Sequence, residues 1–154
     1  MGYVKRILLW FGAIFLGLLV VVAAVMGYLA YLGPPLDASS KAYVDESVKA
    51  ITSAWSKEEL LKRASPQLQQ VIKEEELGRL FAKLSQLGKL QEYEGSKGDA
   101  NISLTIQAGK VITASYIASA RFDKGPAQVT VRLIQNDGRW QILQFYVNSP
   151  IFLQ

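Results

Sequence analysis

This 154-residue chain contains no cysteine and no histidine. Without cysteine there is no disulfide, no thiol nucleophile, no lipid-modified amino-terminal cysteine and no zinc–thiolate centre. Without histidine, the side chain that titrates nearest neutral pH and the commonest transition-metal ligand are both missing. Most serine-hydrolase triads and the two-histidine iron sites are excluded with it. No catalytic residue, cofactor or metal is therefore expected. A third absence is local: no charged residue occurs from Ile7 to Leu32. The chain also lacks a basic stripe. Its 17 Lys and Arg against 13 Asp and Glu leave a net charge of +4, and two of the bases, Lys5 and Arg6, precede the apolar run. The remaining bases are scattered singly among acids, a pattern that does not suit nucleic acid.

The uncharged run is the chain's most conspicuous positive feature. As a helix rising about 1.5 Å per residue, Ile7–Leu32 exceeds the roughly 30 Å hydrocarbon core of a bilayer. The expectation is a transmembrane anchor over 7–32, preceded by a short leader, residues 1–6. The positive leader keeps the amino terminus in the cytoplasm and puts the rest in the periplasm or outside the cell, on an inner (plasma) membrane. Trp10 at one end, with Tyr28 and Tyr31 at the other, suits the two headgroup levels. Gly33-Pro34-Pro35 is expected to stop the helix, with residues 33–37 as a stiff linker. The alternative is a cleaved secretory signal ending near Ala24 or Gly27. Ala13, Gly17, Val20, Ala24 and Gly27 recur at four, three, four and three along one face. Small residues so spaced let helices approach closely. The expected partners are the lipid bilayer and either another membrane protein or a second copy of the chain.

Residues 38–154 suffice for one small domain. Val44, Val48, Ile51 and Trp55 repeat at helical spacing, with Asp37, Ser39 or Ser40 as possible caps. Ser56-Lys-Glu-Glu59 is a capping box that starts a second helix at Lys57. Ser65-Pro66 is another start signal and opens a short turn. Glu74-Glu75-Glu76 then marks the positive end of a helix carrying Leu77, Leu80, Phe81, Leu84 and Leu87, with Gly88 as its stop. Beyond Gly88 the period changes to two. Short strands are expected around Leu90–Gly95, over Ile102–Gln107, over Ala114–Phe122, from Val129 and over Arg139–Val147, turning at Ala108–Lys110, Asp123 and Asn136-Asp137-Gly138. Strands joined by such short turns are antiparallel. In the last strand Trp140 and Ile142 have the opposite parity to Phe145 and Val147. Either both faces are covered or a β-bulge near Leu143 or Gln144 resets the register. The fold class is thus α+β: one transmembrane helix, then three amphipathic helices on a curved antiparallel sheet of four to five strands.

Three helices, the Leu87-Gly88-Lys89-Leu90 exit, the Ala118–Phe122 run feeding Gly125-Pro126, and the Asp137-Gly-Arg-Trp140-Gln-Ile142 hairpin followed by Phe145 together resemble the NTF2-like (cystatin-like α+β cone) superfamily. A membrane anchor before such a domain is similar to small periplasmic assembly proteins. The resemblance implies a cone between helices and sheet that is either filled or holds a ligand. Residues expected to line it are Tyr93, Ala114, Tyr116, Ala118, Ala120 and Trp140. Tyr146, Asp99 and Arg121 are further polar candidates. Catalysis there would need an acid as base beside a tyrosine donor, but Asp99, Asp123 and Asp137 all fall at expected turns. The tail residues Ile151, Phe152 and Leu153 are expected to pack on the core. The reading is a non-enzymatic envelope protein that assembles or scaffolds a membrane complex. The alternative is a domain that binds a small apolar ligand.

Overall fold

The computed structural model describes the backbone of residues 2–105 and 109–153, and their side chains except at 2–13, 29, 32–34, 104–105 and 153. Ile106 and Gln107 of an expected strand, Ala108 of the expected turn and the tail side chain of Leu153 thus lie outside the described residues. Helix α1 covers Gly2–Thr52, followed by α2 (Lys57–Arg63), α3 (Pro66–Val71) and α4 (Glu74–Leu84), which ends in a 3-10 turn at Ser85–Leu87. Strands β1 (Leu90–Thr105), β2 (Gly109–Phe122), β3 (Gly125–Asn136) and β4 (Arg139–Asn148) follow, then a 3-10 turn at Pro150–Leu153. The fold is α+β, and the four strands pair consecutively and antiparallel.

Contacts divide the chain into two units, Met1–Pro35 and Leu36–Gln154. The first overturns the expected transmembrane anchor: among the described residues, no helix is long and apolar enough to cross a membrane. Nor does Gly33-Pro34-Pro35 end a helix, because the helical backbone includes all three. Proline's fixed φ near −65° is itself helical, so each proline removes an N–H donor and crowds the preceding turn but does not by itself end the helix. Large apolar side chains of this unit are exposed, from 47% at Val25 to 78% at Tyr31. On the expected contact face, Gly17, Val20, Ala24 and Gly27 are exposed, and a methyl group placed at Gly17 or Gly27 would meet nothing within 4 Å. The side chain of Ala13 lies outside the described ones.

In the second unit the α1 residues read from their spacing as a core face, Val44, Val48, Ile51 and Trp55, are buried. The start signals act locally. Ser56 Oγ accepts the Glu59 N–H and Ser65 Oγ accepts the Leu68 N–H, each at 3.2 Å, which satisfies donors that a helix start leaves open. Ser65 and Pro66 thus begin a separate short helix, α3, which adds a fourth helix to the three expected. From α4, Leu77, Phe81 and Leu84 enter the core, as does Leu87, whereas Leu80 is exposed. Ile151 and Phe152 of the tail pack against the core.

The two short strands expected before Ala108 are one strand, β1. Extra residues bulge at Gln91 and Glu94, so pairing with β2 continues from Leu90↔Phe122 to Thr105↔Gly109. Asp99 therefore lies within a strand, opposite Ser115, and not at a turn. In β4 the bulge falls on Leu143, since Ile142 pairs with Leu133 and Gln144 with Arg132. That one residue puts Trp140, Ile142 and Val147 into the buried set and leaves Tyr146 exposed. Both sheet edges carry cover. On β4, Ala64 bridges Ile142 and the Ser65 N–H donates to the Ile142 carbonyl at 2.8 Å. On β1, the Ala100 N–H donates to Asp37 Oδ1 at 2.7 Å. Edge strands covered in this way do not recruit further strands at those points.

Candidate functional site

All six residues expected to line a cone fall on the helix-covered side of the sheet. Ala114, Tyr116, Ala118, Ala120 and Trp140 are buried, and Tyr93 is half-buried against the same core. They share one continuous core with Val44, Val48 and Ile51 of α1 and with Phe81 and Leu87. The alanines of β2 let the helices sit close.

Along this side runs a polar seam between α1 and β1. Asp37 of α1 reaches Ala100, and Asp45, two helical turns on, reaches Ser96 and Tyr93. Eight helical residues rise roughly 12 Å and four strand residues roughly 13 Å, so the matching carboxylates follow from α1 lying antiparallel to β1. Asp45 Oδ1 accepts from Tyr93 Oη at 2.6 Å and from Ser96 Oγ at 2.5 Å, while Lys41 Nζ sits 2.8 Å from Oδ2. Lys49 Nζ lies 5.1 Å from the centre of the Tyr93 ring. Deeper in the seam, the Tyr116 hydroxyl is 2.9 Å from Ser40 Oγ and donates to the Asp37 carbonyl at 3.1 Å. Trp140 Nε1 donates to Ser39 Oγ at 3.1 Å. Beside β1, Gly98 allows the close approach: a methyl group there would sit 1.9 Å from the Ser115 carbonyl oxygen.

The protonation states follow from these contacts. Burial works against the Asp45 charge, but hydrogen bonds from Lys41, Ser96 and Tyr93 outweigh it and hold the carboxyl below the usual carboxylate range. Tyr93 is pushed well up, first by burial and then by the Asp45 hydrogen bond and charge. Tyr116 is also raised, by burial, against the opposing Ser40 contact. An aspartate held ionised is a poor base, and a phenol held protonated is a donor whose proton is already engaged. Among the described residues, no three acids come together as a metal site, and Ser47 Oγ is the buried side-chain polar atom that lacks a partner.

Asp37, Ser39, Ser40, Asp45 and Ser96 were not read from the sequence as partners of the tyrosines or of Trp140. Asp45 is one of the acids and lysines that fill the side of the helix opposite Val44, Val48 and Ile51, and Asp37, Ser39 or Ser40 were expected as caps. Their partners lie 48 to 101 residues away in the chain, so no local spacing signals them. Two further polar candidates do not belong to this side: Arg121 and Tyr146 are exposed, and Arg121 pairs with Glu94 at 3.5 Å. No family model, no curated protein and no solved structure matches this chain.

Proposed function

We propose that this chain is a non-enzymatic assembly protein whose Leu36–Gln154 unit serves as a rigid interaction module held at a lipid surface. The observation that carries the proposal is the use of the interior. Apolar side chains of helices and sheet share one buried core, the Tyr93 hydroxyl is bonded to the Asp45 carboxylate, and the Tyr116 hydroxyl is bonded to the Asp37 backbone carbonyl. That arrangement favours a load-bearing structural domain over one that admits an apolar ligand or transfers protons. The order of elements, helices and then an antiparallel meander, supports the NTF2-like resemblance as part of the proposal. The lipid contact is supported by the exposed apolar surface of Ile14–Tyr28, which is apolar on every side and needs cover from water.

Cell fractionation of the full chain tests both halves. The chain is expected to pellet with membranes through a high-salt wash and to leave them in detergent. Leu19→Glu combined with Val22→Glu should move it into the soluble fraction. Chemical crosslinking in intact cells should give adducts heavier than the monomer. Recovery of the unaltered chain in the soluble fraction overturns the lipid contact, and recovery of monomer alone overturns the assembly role.

A further inference from the structure

The side of the sheet away from the helices carries a second polar group that the seam does not involve. Gly95 of β1, Ser119 of β2, Gln128 of β3 and Asn148 of β4 are consecutive partners in register and so form one row across all four strands. A depression of about 330 Å³ lies over this row, lined by Glu94, Ser119, Gln128 and Asn148, with Pro126 and Pro150 among its walls. The bulge in β1 helps to shape it. Glu94 is the extra residue between the Tyr93↔Ala120 and Gly95↔Ser119 pairs, and a bulge re-aims the side chain it carries. Gly95, at φ +101°, adds no side chain beside Ser119, and a methyl group there would meet nothing within 4 Å.

From this geometry we propose that the depression binds a neutral polyol, a single pyranose-sized ring presenting adjacent hydroxyl groups. Its volume stands at the lower end of the range of small-molecule sites, which suits one ring and not a chain of them. Among the described residues, Ser119, Gln128 and Asn148 make no side-chain hydrogen bond, so a hydroxyl and two carboxamides supply donors and acceptors together. Hydroxyl groups, which also donate and accept, match such a set. The Glu94 carboxylate accepts as well, and the Arg121 guanidinium at 3.5 Å balances its charge, so the site selects neither an anion nor a cation. No aromatic ring lines it, which removes the usual platform for a planar base or ring system. The two prolines provide rigid apolar walls for the ring's C–H edges.

The test is a titration of the ¹⁵N-labelled full chain with glucose, up to about 100 mM, in a detergent without a sugar headgroup. Saturable shifts are expected at the Gln128 and Asn148 carboxamides and at the Gly95 and Ser119 amides, with a Kd of roughly 1–10 mM. Gln128→Ala and Asn148→Ala should each weaken binding about tenfold while the rest of the spectrum is unchanged. Methyl glucoside binding as well as glucose identifies the end of a glycan as the source, and glucose binding alone identifies a free sugar; either sustains the site. Shifts that stay linear, scatter over the surface or persist in both variants overturn it. Tighter binding of triglycine than of glucose also overturns it, because the carboxamides would then be reading a peptide backbone.

Discussion

On the helix-covered face of the sheet, Tyr93, Ser96 and Tyr116 are each hydrogen-bonded to α1, whereas Ser119, Gln128 and Asn148 on the opposite face end in solvent. The two groups belong to the same sheet, and on β2 they stand three residues apart, at Tyr116 and Ser119. Burial separates them. A polar atom removed from water without a partner costs about 1–3 kcal/mol, so the covered face holds its polar side chains only in bonded sets. The open face keeps water as an alternative partner, and its side chains are available for exchange with a ligand. The contrast rests on strand parity and on two bulged residues, Glu94 and Leu143.

Removing a residue from the covered face should have the largest effect. Tyr116→Ala deletes a buried ring and leaves Ser40 without its hydroxyl partner, so a loss of ~3–5 kcal/mol is expected in urea unfolding at neutral pH. A loss below about 1 kcal/mol would mean that the ring is not part of the core. Asp45→Asn comes next, with an expected loss of roughly 1–3 kcal/mol, because Tyr93, Ser96 and Lys41 all lose their charged partner. This variant also has a pH signature. The folded-state carboxyl titrates below its unfolded value, so its stabilisation is present above the unfolded pKa, about 3.9, and disappears as pH falls through the folded value. Unfolding midpoints measured from neutral pH down to pH ~3 should therefore drop below about pH 4 in the native chain and drop less in Asp45→Asn. Parallel curves would show that the seam does not stabilise the ionised carboxyl. On the open face, Gln128→Ala and Asn148→Ala should each change stability by less than ~0.5 kcal/mol. A larger loss in the same urea assay would show that this row is packed and not solvated.

Much of the local architecture is legible in short stretches of the chain. The four- and three-residue spacing of Val44, Val48, Ile51 and Trp55 marked a buried helix face. Ser56 and Ser65 marked helix starts, and both act as caps. Asn136-Asp137-Gly138 marked the last hairpin, where Asp137 and Gly138 do adopt the positive φ that a tight hairpin turn requires. The parity change in β4 pointed to the bulge at Leu143. Other features misled for physical reasons. The first strand was expected to end near Gly95, yet Gly95 follows the Glu94 bulge and Gly98 allows close approach to β2, both within one longer strand. Gly33-Pro34-Pro35 looked like a stop, although proline's own φ is compatible with a helix.

Periodicity, caps and turns act within four or five residues, so element type and core faces could be read before any packing was known. Hydrogen bonds from Tyr93 and Ser96 to Asp45, and from Tyr116 to Asp37, join residues 48 to 79 positions apart. They exist only because α1 lies antiparallel to β1 and the strand register brings those side chains opposite it. The open row of Ser119, Gln128 and Asn148 arises in the same way, from two register pairings that no single strand encodes. Folding decided which polar side chains are paired in the interior and which remain available to a ligand, because pairing depends on the distance between elements and not on spacing along the chain.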